Sequence, residues 1–310
     1  MRTVYLGTST FAVDVLGALA TSPHRPELVV TPPDRPQGRG RKLAPPPVAV
    51  AARDLGLEVL QAETVNDEHA VARIDEVAPD AIGVCQFGQL IKEPLLSRHL
   101  MLNVHPSVLP RWRGAAPIER AIMSGDDVTG VTIFQITAGL DSGPVALVRH
   151  EPIRPVDTAG TLSARLASIG AELLVEALDR LEAGVLELTE QPDEGVTYAE
   201  KIDPAERRLD PRRPAAELER VVRALTPAIG AYLDIEGGER LGVDEARMED
   251  AKLPIGELSA TDGRLVLGCG EGALELVRVK PPGGRAMSAA DYLRGHRVAE
   301  RVAVPRSTDK

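Results

Sequence analysis

Met101-Leu-Asn-Val-His105, followed by Pro106-Ser-Val-Leu-Pro-Arg-Trp-Arg-Gly-Ala-Ala-Pro117, decides how the first half of this chain folds. The pentad reads as a strand. The stretch after it carries Pro106, Pro110, Gly114 and Pro117, so it cannot continue a strand or begin a helix before about Ala115, and it forms a rigid loop over the strand end. On a strand, Asn103 and His105 point to one face and Val104 to the other. An amide and an imidazole at a strand end, under a rigid loop, stand where open α/β sheets bind their ligands.

Working outward, short apolar runs over residues 3–7, 27–31 and 81–85 alternate with helical patterns over 11–20, 48–55, 67–77 and 93–98. This βαβ alternation predicts a mostly parallel, Rossmann-like sheet. A helix over 115–124 follows the loop. Strands over 130–136 and 145–149 then flank the turn Gly139-Leu-Asp-Ser-Gly-Pro144, which puts Asp141 near a sheet end. Leu162, Leu166, Ile169, Leu173, Ala177 and Leu181 recur at steps of three and four and predict one long helix over 158–181. Prolines and charges dominate from Gln191 onward. We therefore expect an α/β domain over 1–190, a linker over 191–205 and a second domain over 206–310. In that second domain a helix over 215–225 precedes short strands and glycine turns, which suggest a small β-barrel.

The run from Asn103 to Ile118 resembles the signature of the folate-dependent formyltransferases. Other stretches in the family's order extend the likeness over most of the chain: Gly7-Thr8 with Phe11-Ala-Val13, Pro33-Asp-Arg-Pro36 with Gly38-Arg-Gly-Arg-Lys42, Gly139 to Gly143, Tyr198-Ala-Glu-Lys201 and Ala286-Met-Ser-Ala289. Pro110-Arg-Trp-Arg-Gly-Ala-Ala-Pro-Ile118 narrows it to the branch acting on aminoacylated tRNA. The resemblance implies transfer of a formyl group from 10-formyltetrahydrofolate to the α-amine of methionyl initiator tRNA. It also implies that the second domain is an oligonucleotide-binding-like (OB-like) barrel.

Formyl transfer needs an unprotonated amine, a stabilised oxyanion and a route for protons. Asn103 can donate to the oxyanion, His105 can donate or relay a proton, and Asp141 can raise the imidazole pKa or take up a proton. Which of His105 and Asp141 is the base stays open at this level. Ser107, Val108, Leu109 and Pro110 are expected to floor the folate pterin with backbone groups, and Gln86, Phe87 and Gly88, after another strand, to flank it. Arg35, Arg39, Arg41 and Lys42 lie in the long 32–47 connection, which the resemblance places in the major groove of the acceptor stem. A net charge of −10 is poor for a nucleic-acid binder, so this local cluster has to carry the positive potential; Arg207, Arg208, Arg212 and Arg213 form a looser second group.

Several positions depart from the family pattern: Ser9-Thr10, Pro106 and Gln86-Phe87 near the pocket, and Asp210-Pro211 and Thr226 to Ile229 later on. With 3% aromatic residues, the second domain has little capacity for stacking on bases.

A formyltetrahydrofolate hydrolase or an amino-sugar N-formyltransferase would use the same three polar residues, but needs neither the arginine-rich connection nor a terminal barrel. An RNA-binding scaffold would have no need of Asn103, His105 and Asp141 together. Composition is that of a soluble globular protein, with 43% hydrophobic and 26% charged residues and no apolar run near the ~20 that a membrane span takes. The chain opens on a strand without a signal-like leader, so a cytoplasmic monomer is expected. Cys85 and Cys269 are far apart and lack metal-ligand spacing, and no metal or nucleotide cofactor is expected.

Overall fold

A computed structural model describes residues 1–37, 40–236, 238–296 and 301–303. The chain divides into two compact units, one of Met1–Pro117, Val128–Pro152 and Ser163–Ala199, the other of Ile118–Asp127, Ile153–Leu162 and Glu200–Lys310.

Through the first unit the elements run β1 (Thr3–Gly7), α1 (Thr10–Thr21), β2 (Leu28–Thr31), β3 (Arg35–Gln37), β4 (Lys42–Ala44), α2 (Pro47–Asp54), β5 (Glu58–Gln61), α3 (Glu68–Val77), β6 (Ala81–Cys85), α4 (Leu95–Arg98), β7 (Met101–His105) and β8 (Arg113–Gly114). Then come α5 (Pro117–Ser124), which from Ile118 on belongs to the second unit, β9 (Val128–Gln135), β10 (Val145–Pro152), α6 (Ala159–Glu182), in the first unit from Ser163 on, and β11 (Tyr198–Ala199). A seven-stranded sheet in the order β10-β9-β7-β6-β1-β2-β5 forms the centre. The five strands from β7 to β5 are parallel, and β9 and β10 are added antiparallel. The chain moves from β1 outward to β2 and β5, then crosses back to β6 on the other side of β1. That reversal opens a crevice at the carboxyl ends of β1 and β6, where Gly7 pairs with Cys85.

Local chemistry explains the elements. The Ser9 hydroxyl caps α1 by accepting from the Ala12 N–H, and the Asp67 carboxylate caps α3 by accepting from the Ala70 N–H. One sheet face (Val4, Leu6, Ile82, Val84, Met101) packs on Val71, Ile74 and Val77 of α3 and Leu95 of α4. The other lies against α6: Leu174 approaches Gly83, and Gly170 meets Val104 so closely that a Cβ there would stand 2.5 Å from the valine. With Val104 facing α6, Asn103 and His105 face the opposite side of β7.

Two parts of this unit differ from the expectation. The 32–47 connection is not an open loop but holds the antiparallel hairpin β3–β4, with Arg35 opposite Ala44. The edge strand β5 was hidden because Glu58-Val-Leu-Gln61 is half-exposed and lacks a solid apolar run.

The second unit contains α7 (Ala215–Leu225), β12 (Ala231–Asp234), β13 (Arg240–Glu249), β14 (Leu258–Thr261), β15 (Arg264–Gly268), β16 (Ala273–Lys280), β17 (Met287–Ser288) and α8 (Ala289–Gly295). Leu218, Val221, Val222 and Leu225 of α7 point inward and share a core with Leu241, Val243, Leu274 and Leu276. The strands form an antiparallel sheet in the order β12-β13-β16-β15-β14, with β17 on β16. The expected closed barrel is not found among the described residues. Residues 301–303 instead bridge the two ends: the Val302 N–H donates to Gly256, the Glu236 N–H to Arg301 and the Ala303 N–H to Asp234. β13 escaped the sequence reading because register shifts between Val243 and Ala246 break its alternation. Among the described residues no helix is long and apolar enough to cross a membrane.

Candidate active site

The site is built at the carboxyl end of β7. His105 is 4% exposed, and its Nε2 lies 2.8 Å from the Trp112 carbonyl oxygen. A carbonyl only accepts, so Nε2 carries the proton and Nδ1 of the neutral ring is bare. Nδ1 faces Asp141 Oδ2 at 3.7 Å, and the edge of the ring meets Phe134 with centroids 6.2 Å apart. Burial pushes the imidazole pKa below its ordinary 6.5, opposed by the nearby Asp141 charge and the Trp112 hydrogen bond. The ring is therefore a neutral base at neutral pH. Asn103 lies two residues back on the same face, half-buried, and among the described residues its amide makes no hydrogen bond. It is free to meet a ligand.

Asp141 is held by the loop that follows β7 rather than by the histidine. Its φ is 45°, the left-handed region, and its Oδ2 accepts from the Gly114 N–H at 2.7 Å. Gly114 itself has φ 119°, and a Cβ there would come 2.9 Å from the Ala199 carbonyl, so only glycine presents its N–H in this way. Gly143, two residues after Asp141, is equally constrained, since a Cβ would lie 1.8 Å from the Gln135 carbonyl. Gln86, on the loop after β6, and Trp112 and Asp141, on the two loops that meet His105, are three of the six described non-glycine residues with positive φ. Such conformations cost on the order of 1–3 kcal/mol each and concentrate at functional sites.

The residues expected to hold folate fall into two stretches. Ser107 is fully buried, and its hydroxyl donates to the Arg111 carbonyl at 2.6 Å, closing the turn. Leu109 is buried, and its N–H donates to the Thr132 hydroxyl, which in turn donates to the Ser107 carbonyl. Val108 packs on Gly130, and Val108 and Pro110 are half-buried. The stretch is thus a pinned backbone, not a set of reaching side chains. Gln86 and Gly88 follow β6, whose Val84 pairs with Asn103, so the two stretches leave neighbouring strands at one edge. The Gln86 amide oxygen accepts from the Ser9 hydroxyl. Phe87 is 3% exposed; its ring belongs to the core, and its carbonyl accepts from the Thr8 hydroxyl at 2.6 Å.

The basic hairpin leaves the same edge after β2. Arg41 and Lys42 are exposed, and among the described residues neither has an ion-pair partner. Arg35 is also exposed but pairs with Glu63 at 2.9 Å. Arg39 lies outside the described residues. Three of the second arginine group are ion-paired where they stand, Arg208, Arg212 and Arg213 with Asp234, Asp210 and Glu217 at 3.0, 2.6 and 3.0 Å, and Arg207 donates to the Gly230 carbonyl.

Sequence reasoning missed Gln191, Thr197 and Thr132, which hold the site loops. A polar side chain that bonds to backbone groups far along the chain has no local pattern, so no signal pointed to them. Among the described residues no group of three or more His, Cys, Asp or Glu is placed to hold a metal ion. Burial pushes the Cys85 thiol well up, away from reactivity, and that of Cys269 up to about 11.

Residues 1–178 match the formyl transferase family and residues 201–297 match the formyl transferase C-terminal domain. A methionyl-tRNA formyltransferase from Halorhodospira halophila is 47% identical over 96% of this chain and 97% of its own length. One from Ruegeria pomeroyi is 45% identical, covering 95% and 97%. Among solved structures, HypX from Aquifex aeolicus in complex with tetrahydrofolic acid shares the fold, with TM-score 0.65 and 20% identity over 94% of this chain and 47% of that one. An N-formyltransferase from Helicobacter canadensis, in complex with folinic acid and dTDP-3-aminofucose, also has TM-score 0.65, with 16% identity over 89% and 98%. With a rigid loop over an Asn103/His105 strand end, a left-handed Asp141 beside it and both domain matches in order, the chain belongs to the formyl transferase family, in the group of the methionyl-tRNA formyltransferases.

Proposed function

We propose that this protein transfers the formyl group of 10-formyltetrahydrofolate to the α-amino group of methionyl initiator tRNA. The observation that carries the reading is the bare Nδ1 of a neutral, buried His105, set 3.7 Å from Asp141 with the unbonded Asn103 amide beside it. In the reaction the amine nitrogen attacks the formyl carbon on N10, and the carbonyl oxygen becomes an oxyanion that the Asn103 amide is placed to stabilise. The amine gives up a proton to His105 Nδ1, and Asp141 stabilises the resulting imidazolium. The C–N10 bond then breaks, the proton passes to N10, and tetrahydrofolate leaves a formamide on the methionine. Ser107 to Pro110 and Gln86 to Gly88 hold the pterin through a fixed backbone. Arg35, Arg39, Arg41 and Lys42 meet the acceptor-stem phosphates.

The C-terminal unit acts as an OB-like tRNA-binding part, its sheet ends joined through residues 301–303. The reaction places the protein in the cytoplasm, where initiator tRNA is charged, and it works as a monomer. The test is a transfer assay with 10-formyltetrahydrofolate and charged initiator or elongator methionyl-tRNA, following both the released folate and the formylated amine. Transfer to the initiator alone is the expected outcome. Folate release without transfer would mean a hydrolase, and tRNA binding without turnover a scaffold.

A further inference from the structure

Gln191 stands at the centre of a hydrogen-bond clamp whose other members all belong to the site. Its side-chain amide donates to the Asp141 carbonyl and to the Gly143 carbonyl, both at 2.8 Å. Its Oε1 accepts from Arg113 Nε at 3.1 Å and from the same guanidinium's terminal nitrogen at 2.7 Å. One amide therefore grips the loop that carries Asp141 with its nitrogen and the loop that carries Trp112 and Gly114 with its oxygen. Both functions of the side chain are needed, and no other residue type has them at that reach.

The clamp belongs to a strap of chain that stitches the two loops together. Thr189 pairs with Val145 just after the Asp141 turn, with N···O distances of 2.7 and 2.9 Å. The Thr197 hydroxyl accepts from the Trp112 N–H at 2.9 Å, and the Thr197 carbonyl from the Arg113 N–H. The Ala199 carbonyl takes the N–H groups of Ala115 and Ala116, and β8 and β11 run parallel there. The strap thus sets both ends of the space in which His105 sits, through the carbonyl that holds Nε2 and the loop that holds the carboxylate facing Nδ1.

We infer that Gln191 is a positioning residue for formyl transfer: with Arg113 it locks Asp141 in its left-handed conformation at a fixed distance from His105. This rests on the function proposed above. The mechanical argument is direct. Asp141 has no hydrogen bond to His105, so the 3.7 Å separation is not self-correcting and has to be imposed from outside. The side-chain tether at Gly114 fixes Oδ2, but fixing the left-handed backbone needs a hold on the Asp141 and Gly143 carbonyls. Gln191 supplies that hold.

The test compares Gln191→Met, which keeps length and removes both amide functions, with the wild type. A second variant, Arg113→Met, loosens only one jaw. In each, kcat and KM for both substrates are measured in the transfer assay, and the His105 ring proton is followed by NMR as pH is varied, assigned with His105→Asn. Among the described residues, the charged group facing the imidazole is Asp141, and the Trp112 carbonyl and the Phe134 ring also meet it. We expect Gln191→Met to lower kcat about 10-fold or more with both KM values within about twofold. The His105 titration is expected to move to lower pH, because the carboxylate that raises it has drifted. Arg113→Met should move both in the same direction by less. A loss of kcat with an unmoved His105 titration, or a rise in KM alone, would overturn the inference. If Gln191→Met fails to fold, Arg113→Met decides by the same readouts. Wild-type protein that transfers no formyl group would sink the proposed function instead, and the two failures are thereby told apart.

Discussion

Nδ1 of His105 and Oδ2 of Asp141 face each other at 3.7 Å without a hydrogen bond, the carboxylate being tied instead to the Gly114 N–H. The pair is coupled by charge alone. Removing the charge in Asp141→Asn leaves burial opposed by the Trp112 hydrogen bond alone, so the His105 pKa, already below 6.5, falls further. Turnover is expected to drop on the order of 10²-fold or more. The acid limb of the rate profile moves to lower pH, because the base stays neutral further down. Single-turnover formyl transfer across a pH series checks both effects.

The same depressed pKa has a consequence for folding. Above the ordinary imidazole value of 6.5 His105 is neutral in both states, and its contribution is fully present. As pH falls through the folded-state pKa, the unfolded chain binds the proton first and stability is lost, by up to about 1.4 kcal/mol for each pH unit of depression. In His105→Asn that part of the loss disappears. Urea midpoints of the two proteins measured above and below pH 6.5 should diverge in the acid range; parallel curves would contradict this.

Asn103→Ala removes a donor with no other partner among the described residues. The loss is expected in the transition state, so kcat falls about 10²- to 10³-fold while folate KM stays nearly constant. Steady-state kinetics with varied 10-formyltetrahydrofolate distinguish this from a pocket wall, which would raise KM.

On the hairpin the cations are unequal. Arg41 and Lys42 are exposed without ion-pair partners among the described residues, whereas Arg35 is paired with Glu63. Arg41→Glu is expected to weaken tRNA use on the order of 10-fold and to reduce its salt dependence. Arg35→Ala has a smaller effect. Folate binding by the same variants, read by tryptophan fluorescence, stays unchanged.

Gly143→Ala would drive a Cβ into the Gln135 carbonyl, 1.8 Å away, and the Asp141 loop must move to relieve it. A stability loss of about 1–3 kcal/mol is expected, with activity falling well beyond it. Thermal unfolding and transfer rate measured on one preparation check the pairing.

Much of this protein is legible along the chain because the physics there is local. Residue alternation puts Asn103 and His105 on one face of β7, and the prolines and Gly114 that follow can only form a loop. The steps of Leu162 to Leu181 make one helix face, and α7 has its apolar residues at the expected inward positions. The failures have physical causes as well. β5 is a half-exposed edge strand, the bulged β13 breaks its own alternation, and the 32–47 connection pairs with itself in a hairpin.

What the amino-acid order determined by itself is the parallel sheet, the strand end that offers an amide and an imidazole, and the turn that carries a carboxylate. Tertiary structure alone decided which nitrogen of His105 is bare, because the Trp112 carbonyl reaches Nε2 only after the loop folds back. It likewise decided where Asp141 stands, through Gly114 from one loop and Gln191 from a segment 50 residues further along. Periodicity and turn chemistry act over a few residues and can be read in order, whereas a hydrogen bond between distant segments exists only once the chain has brought them together.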